Sequence, residues 1–152
     1  ADGWEISGCP VNGPAIDAQA TDAVVAWFTG ADNIATIKVA FSEDSGVTFG
    51  PAFQVDSGKS VGRVGTLMLA TGEALISWVE WNSDGEVLML CRATKNDGCV
   101  ARQTITEHAA AGSFNFPKLA RSGDTIYLAW TQPIDSKVGF STIRMVAFDL
   151  SD

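Results

Sequence analysis

Glu80 and Trp81 stand side by side at the end of an apolar run, Ala74-Leu75-Ile76-Ser77-Trp78-Val79. A carboxylate beside an exposed aromatic suits sugar recognition: the ring stacks on the apolar sugar face, and the acid accepts from its hydroxyls. The alternative is that Trp81 only covers the rim of a sheet. Arg63 opens another apolar run and has the charge to clamp an anion; a solvated or ion-paired arginine is the competing reading. Asn12, Asn115, Lys118 and Gln132 are further polar candidates for ligand contact, with Lys59, Asp84 and Asp135 beside them. The lone histidine, His108, has no serine or aspartate partner in a recognisable motif, so Ser-His-Asp catalysis has no support. Tyr127 sits inside an apolar run and reads as core. No Cys-x-x-Cys or Cys/His cluster exists, so no metal site is expected; no phosphate-cradling glycine motif is present, and no cofactor is expected.

The three cysteines divide two and one. Cys91 and Cys99 bracket a polar run, Arg92-Ala93-Thr94-Lys95-Asn96-Asp97-Gly98. If that run is a hairpin turn, the two face each other across paired strands within bridging reach. A disulfide there implies an oxidising compartment; two reduced, half-buried thiols are the other reading. Cys9 is left over.

These residues must be positioned by a core, and the 152-residue chain has one to offer, with 46% hydrophobic residues. The formal charge of -8 argues against a nucleic-acid partner, whose phosphates demand a basic patch, and against anionic membranes. No apolar stretch is long enough for a membrane-spanning helix.

The positioning elements repeat. Ala-Val-Val-Ala-Trp-Phe at 23–28, Ala-Leu-Ile-Ser-Trp-Val at 74–79 and Thr-Ile-Tyr-Leu-Ala-Trp-Thr at 125–131 are copies of one pattern. Their tryptophans, Trp27, Trp78 and Trp130, lie 51 and 52 residues apart. A small residue precedes each: Ala26, Ser77 and Ala129. A short apolar run lies upstream of each copy, at 14–18, 63–69 and 117–120, across a polar turn. Another lies downstream, at 36–41, 86–91 and 141–148. A fourth follows in two copies only, at 52–55 and 100–105. Short strands at regular spacing read as antiparallel meanders, and no convincing helix is visible. Four strands per repeat of about 50 residues mark β-propeller blades. The fold expected is all-β: a partial β-propeller of about three four-stranded antiparallel blades, half of a ring of roughly six. Residues 13–56, 62–106 and 116–150 form the blades, the last without its outer strand. Residues 1–7 are expected to supply the outer strand of a neighbouring blade.

The segment Ser42-Glu43-Asp44-Ser45-Gly46-Val47-Thr48-Phe49 resembles the Asp-box of sialidase-type (bacterial neuraminidase repeat) propellers. Asp44 and Ser42 can bond the backbone donors of a tight turn, Gly46 supplies a positive φ, Thr48 completes the motif, and Phe49 is expected to tuck beneath it. The motif stabilises a hairpin and says little about catalysis. In the second repeat Lys95-Asn96-Asp97-Gly98 stands in its place. The chain is also similar to the C-terminal part of bacterial exo-α-sialidase-like proteins, through Gly8-Cys9-Pro10-Val11-Asn12-Gly13-Pro14-Ala15 together with the first tryptophan strand and the box. Sialidases use an arginine triad, a Tyr-Glu nucleophile pair and an aspartate acid/base. Only Arg63 occupies a matching kind of place, so that set cannot be assembled from this chain.

Three readings follow. The first is a non-catalytic Asp-box module binding a glycan or a protein through its loop face. The second is part of a glycoside hydrolase whose other catalytic groups lie outside this chain. The third is a half-ring serving assembly alone. A three-bladed arc leaves two apolar flanks, which soluble monomers avoid. The expected partner is therefore a second copy, as a homodimer, or a missing N-terminal half. The expected location is extracytoplasmic, periplasmic or secreted.

Overall fold

Polar breaks between the apolar runs become turns, and successive runs pair antiparallel. The computed structural model describes residues 2–8, 11–108, 114–134 and 139–149. The first sheet orders β1 (Ala15–Gln19), β2 (Asp22–Thr29), β3 (Thr36–Ser42) and β4 (Phe53–Gln54) side by side. The second repeats this with β5 (Ser60–Met68), β6 (Ala74–Trp81), β7 (Glu86–Thr94) and β8 (Gly98–His108). The third stops at three: β9 (Asn115–Ser122), β10 (Thr125–Pro133) and β11 (Ser141–Asp149). The strands stack as three blades of a β-propeller, the third with three strands among the described residues. A single 3-10 turn at Ala31–Asn33 interrupts the β structure, and among the described residues no helix is long and apolar enough to cross a membrane.

Blade 2 is the centre of the arc, and its alternation shows why. Along β6, Ala74, Ile76 and Trp78 join the core facing blade 1, while Leu75 and Val79 join the clusters facing blade 3. β7 divides the same way: Val87, Met89, Cys91 and Ala93 face blade 1, and Leu88 and Leu90 face blade 3. A strand with period-two side chains buried on both faces must be mostly apolar, as β6 is apart from Ser77 and Glu80.

The tryptophan and its small neighbour interlock successive blades. Trp78, fully buried, packs in the cluster that contains Ala26 of blade 1. Trp130 packs toward blade 2 with Val79 and Leu88. Ser77 points toward the inner strand of blade 3, beside Gly65 and Pro117. Trp78 and Ala26 thus share one inter-blade core, and Trp130 shares the next with Val79 and Leu88. Burying such a ring removes about 150–250 Å² from water, on the order of 4–6 kcal/mol gross at about 25 cal/mol per Å².

Residues 3–7 carry no strand ladder in this structure. The segment is tied to blade 1: Trp4 meets Phe28 edge-on at 5.5 Å between ring centroids, and Asp2 accepts the Trp27 indole N–H at 2.9 Å. Tyr127 is not core. Ile126 and Leu128 take the buried face of β10, which leaves Tyr127 half-exposed on the face away from blade 2.

The 42–49 turn is held by its own side chains. Ser42 Oγ donates to Asp44 Oδ1 at 2.8 Å and accepts from Gly46 N at 2.9 Å. Asp44 accepts from Thr48 N at 2.8 Å and from Thr48 Oγ1 at 2.7 Å. Gly46, with φ +82°, occupies the left-handed region that a side chain would strain. Phe49 does not tuck beneath the turn; it is 41% exposed. Phe53 takes the anchoring place instead, stacked with Phe41 at 6.2 Å, because β4 pairs Phe53 with Val39 and so directs it to the core. In blade 2 the corresponding turn relies on Thr94 and Asp97, whose Oγ1 and Oδ2 lie 3.0 Å apart.

Cys91 and Cys99 form a disulfide joining β7 to β8. A register shift between Arg92 and Ala93 brings the two, diagonal in the ladder, into bonding position. Cys9 lies outside the described residues.

Candidate functional site

Antiparallel blades put alternate connections at opposite ends. The loops entering each blade, and those between its second and third strands, share one end: the loop face. The 42–49 turn and its counterparts occupy the other.

At the loop face, the indole N–H of each of the three repeated tryptophans meets an acceptor. Trp78 Nε1 donates to Glu80 Oε2 at 2.7 Å, and Trp130 Nε1 to Gln132 Oε1 at 3.1 Å, each two residues onward on the same strand. In blade 1 that position holds Thr29, and Asp2 reaches in from the N-terminal segment to bond Trp27. The Trp27 N–H holds the Asp2 carboxyl down at about 2. Glu80 is 7% exposed and also accepts from Ser57 N at 3.2 Å and Ser57 Oγ at 3.1 Å. Glu80 is therefore buried with its tryptophan and Gln132 half-buried beside its own, because strand alternation puts residue i+2 on the tryptophan's face.

Asn12 and Arg63 come together. Asn12 donates from Nδ2 to Val61 O at 2.9 Å and accepts from Arg63 N at 3.0 Å, bracketing a bulge in β5. Gly62 makes room: a Cβ there would fall 2.5 Å from the Asn12 amide, and its φ is +98°. Arg63 turns its guanidinium onto Glu86 at 3.4 Å and onto the Phe114 carbonyl. Glu86 is 1% exposed and also accepts from Phe114 N at 3.3 Å. This is an ion pair stitching blade 2 to the entry of blade 3. His108 lies across the ladder from Glu86 and edge-on to Phe114 at 6.4 Å.

The remaining candidates stay apart from this network. Trp81 is 39% exposed at the end of β6, and its backbone N–H bonds Lys59 O at 2.9 Å. Lys59 and Asp84 are exposed beside it. Asn115 and Lys118 are exposed on β9, where Lys118 pairs with Ala129 and so shares the blade face turned away from blade 2. Asp135 lies outside the described residues.

Sequence reasoning missed a cleft at the opposite end. It measures about 450 Å³ and is lined by Phe41, Phe49, Pro51, Phe53, Lys95 and Asn96, among others. Lys95 bonds Glu43 across it. Asp44 on its wall is held down to about 2, first by the Thr48 backbone N–H, then by the Thr48 and Ser42 hydroxyls. The signal was the phenylalanines flanking the box, Phe41 just before it and Phe53 four residues after it.

No family model matches the chain, and no curated protein matches it. Several solved structures share its fold. The Bacteroides ovatus Xyloglucan PUL GH43B is 13% identical with a TM-score of 0.53, over 90% of this chain and 26% of that one. The xylan β-1,4-xylosidase from Bacillus halodurans C-125 is 10% identical with a TM-score of 0.58, over 89% and 27%. A thermostable family-43 glycoside hydrolase is 8% identical with a TM-score of 0.55, over 88% and 49%. The chain thus spans about a quarter to a half of the structures it matches. What they share with it is the propeller fold.

Proposed function

We propose that the chain is a non-catalytic, sialidase-like Asp-box propeller segment that binds a glycan through its loop face, with Trp81 as the stacking platform. One observation carries this reading. Arg63, Glu80 and Glu86 are committed to protein partners, while Trp81 remains exposed with Lys59 and Asp84 near it. The disulfide supports an extracytoplasmic location, where such bonds persist. Glycan-array binding tests the proposal: retained glycan signal that is lost in Trp81→Ala supports it, and identical signal in both proteins sinks it.

The likeness to family-43 glycoside hydrolases favours a second reading, in which the chain is part of a hydrolase completed by groups elsewhere. Fluorogenic sialoside, xyloside and arabinofuranoside assays separate the two. Turnover by a longer polypeptide that contains this chain, lost when this segment is removed, would move the assignment to the hydrolase.

A further inference from the structure

A groove runs between blades 1 and 2 at the end opposite the loop face. Both walls belong to these two blades: the 42–53 stretch on one side and the 94–97 turn on the other. The cleft beside the 42–49 turn, about 450 Å³, adjoins a second hollow of about 420 Å³. Either is within the range of about 300–1,000 Å³ that bound organic ligands occupy. The two share Phe41, Ser42, Glu43, Lys95 and Asn96 as walls, so the Lys95–Glu43 bond stands between them as a strut.

The two halves differ in chemistry. The first is aromatic: Phe41 and Phe53 stack at its base, and Phe49 and Pro51 stand over it. Phe49 joins none of the core clusters and is left 41% exposed. Its wall is held in advance of any ligand. Gly50 N donates to Phe41 O at 2.9 Å, Thr48 N donates to Asp44, and Pro51 has a fixed φ. A site formed beforehand spends less on ordering when it is filled.

The second half is acidic, with Asp22, Glu73 and Asp97 in its walls. Along the whole groove Lys95 is the one cation among the lining residues, against five carboxylates. Lys95 pairs with Glu43, and Arg92 reaches Glu73 at 3.8 Å. Among the described residues Asp22, Asp44 and Asp97 form no ion pair, and the bonds that hold Asp44 come from neutral donors. An occupant that complements both halves carries an apolar group and a positive charge on one short frame. A neutral sugar lacks the charge, a phosphate has the wrong one, and a bare metal ion leaves the phenylalanines unused.

We propose that this groove docks an extended peptide segment of a partner protein, in which Lys or Arg adjoins an aromatic or large aliphatic residue. The apolar side chain packs on Phe49, Pro51 and Phe53, and the cation meets the carboxylates beyond the strut. The strut does not bar entry: both its side chains are well exposed, and an exposed pair of this kind is weak. A ligand cation can take Glu43 in place of Lys95. The groove and Trp81 lie at opposite ends of the blades, so this proposal and the glycan reading fail separately.

NMR titration of the isotope-labelled chain tests it. The probe is N-acetyl-Phe-Arg-amide, and the control is N-acetyl-Phe-citrulline-amide, of the same shape without the charge. Backbone amides of residues 43–53 and 94–97 are expected to shift with the probe. The control is expected to bind about fivefold more weakly, the scale of one exposed ion pair. Phe49→Ala is expected to weaken the probe about fivefold to tenfold. Lys95→Met removes the competitor for Glu43 and is expected to tighten binding about fivefold; a purely structural Lys95 gives no such gain. Lys95 is exposed, so this variant reports even if Phe49→Ala does not fold. Any of four results overturns the proposal: no shift at millimolar probe, equal binding of probe and control, no gain in Lys95→Met, or a stronger response of these amides to methyl β-xyloside.

Discussion

Trp78 donates its indole N–H to Glu80, two residues along the same strand, at 2.7 Å, with both side chains out of water. The bond ties a core ring to the loop before blade 2, since Glu80 also accepts from Ser57. Removing the acid leaves buried donors unmatched.

Glu80→Ala is therefore expected to cost about 2–4 kcal/mol, the scale of orphaned buried donors. Glu80→Gln keeps an acceptor oxygen and is expected to cost about 1 kcal/mol. Blade 3 uses glutamine at this position, where Gln132 meets Trp130. Urea unfolding of the two variants checks the order; equal losses would mean that charge, not acceptance, matters.

The strand pattern around Trp78 was legible in the sequence because it is local: apolar runs, turns and a repeat of about fifty residues. The same pattern held an unused signal. A polar residue follows each tryptophan by two, as Thr29, Glu80 and Gln132, and i+2 on a strand shares a face. Reading Glu80 with Trp81 as a sugar site overlooked that alternation. Other contacts had no local trace. Asn12 meets Arg63 across 51 residues, and Asp2 meets Trp27 across 25. The Cys91–Cys99 bond depended on a register shift that composition does not specify.

Ser77 gives a prediction of the opposite sign. Its hydroxyl is fully buried and meets no hydrogen-bond partner among the described residues. The equivalent positions are Ala26 and Ala129. Ser77→Ala removes an unpaired buried group and keeps the small volume that Gly65 and blade 3 require. A gain of up to about 1 kcal/mol is expected. A loss of stability on thermal melting would show that the hydroxyl is bonded in solution.

The Arg63–Glu86 pair is expected to be costly to break and cheaper to replace. Glu86→Gln or Arg63→Met alone removes one half of the pair, the other keeping its bond to the Phe114 backbone, and is expected to cost up to about 3–5 kcal/mol. Arg63→Met/Glu86→Leu removes both charges and is expected to lose less than the sum of the two single changes. A double-mutant cycle in urea reads the coupling; strict additivity would sink the pairing.

Acid should loosen the 42–49 turn and the N-terminal tie together. Asp44 and Asp2 are both lowered from 3.8 to about 2, Asp44 chiefly by the Thr48 N–H and Asp2 chiefly by the Trp27 indole. A carboxyl lowered on folding contributes stability that is complete above its unfolded value and is lost as pH falls through the folded one. The loss should fall between pH 3.8 and about 2. Melting temperatures across that window are expected to fall less steeply in Asp44→Asn than in the parent.

The disulfide closes a short loop, with a sequence separation of 8. Loop-closure entropy for so short a loop predicts a contribution of about 2–3 kcal/mol, acting mainly by restricting the unfolded chain. The bond also fastens β8 to β7, and Arg102 of β8 both lies over the Trp78 ring at 5.7 Å and reaches the Val55 carbonyl of the preceding blade. Cys91→Ala/Cys99→Ala is therefore expected to lower stability by that amount in urea. The backbone amides of β8 should exchange hydrogen faster than those of β6, which blade packing holds on both faces. Uniform protection across the two strands in the variant would mean that the ladder and Arg102 alone hold β8 in place.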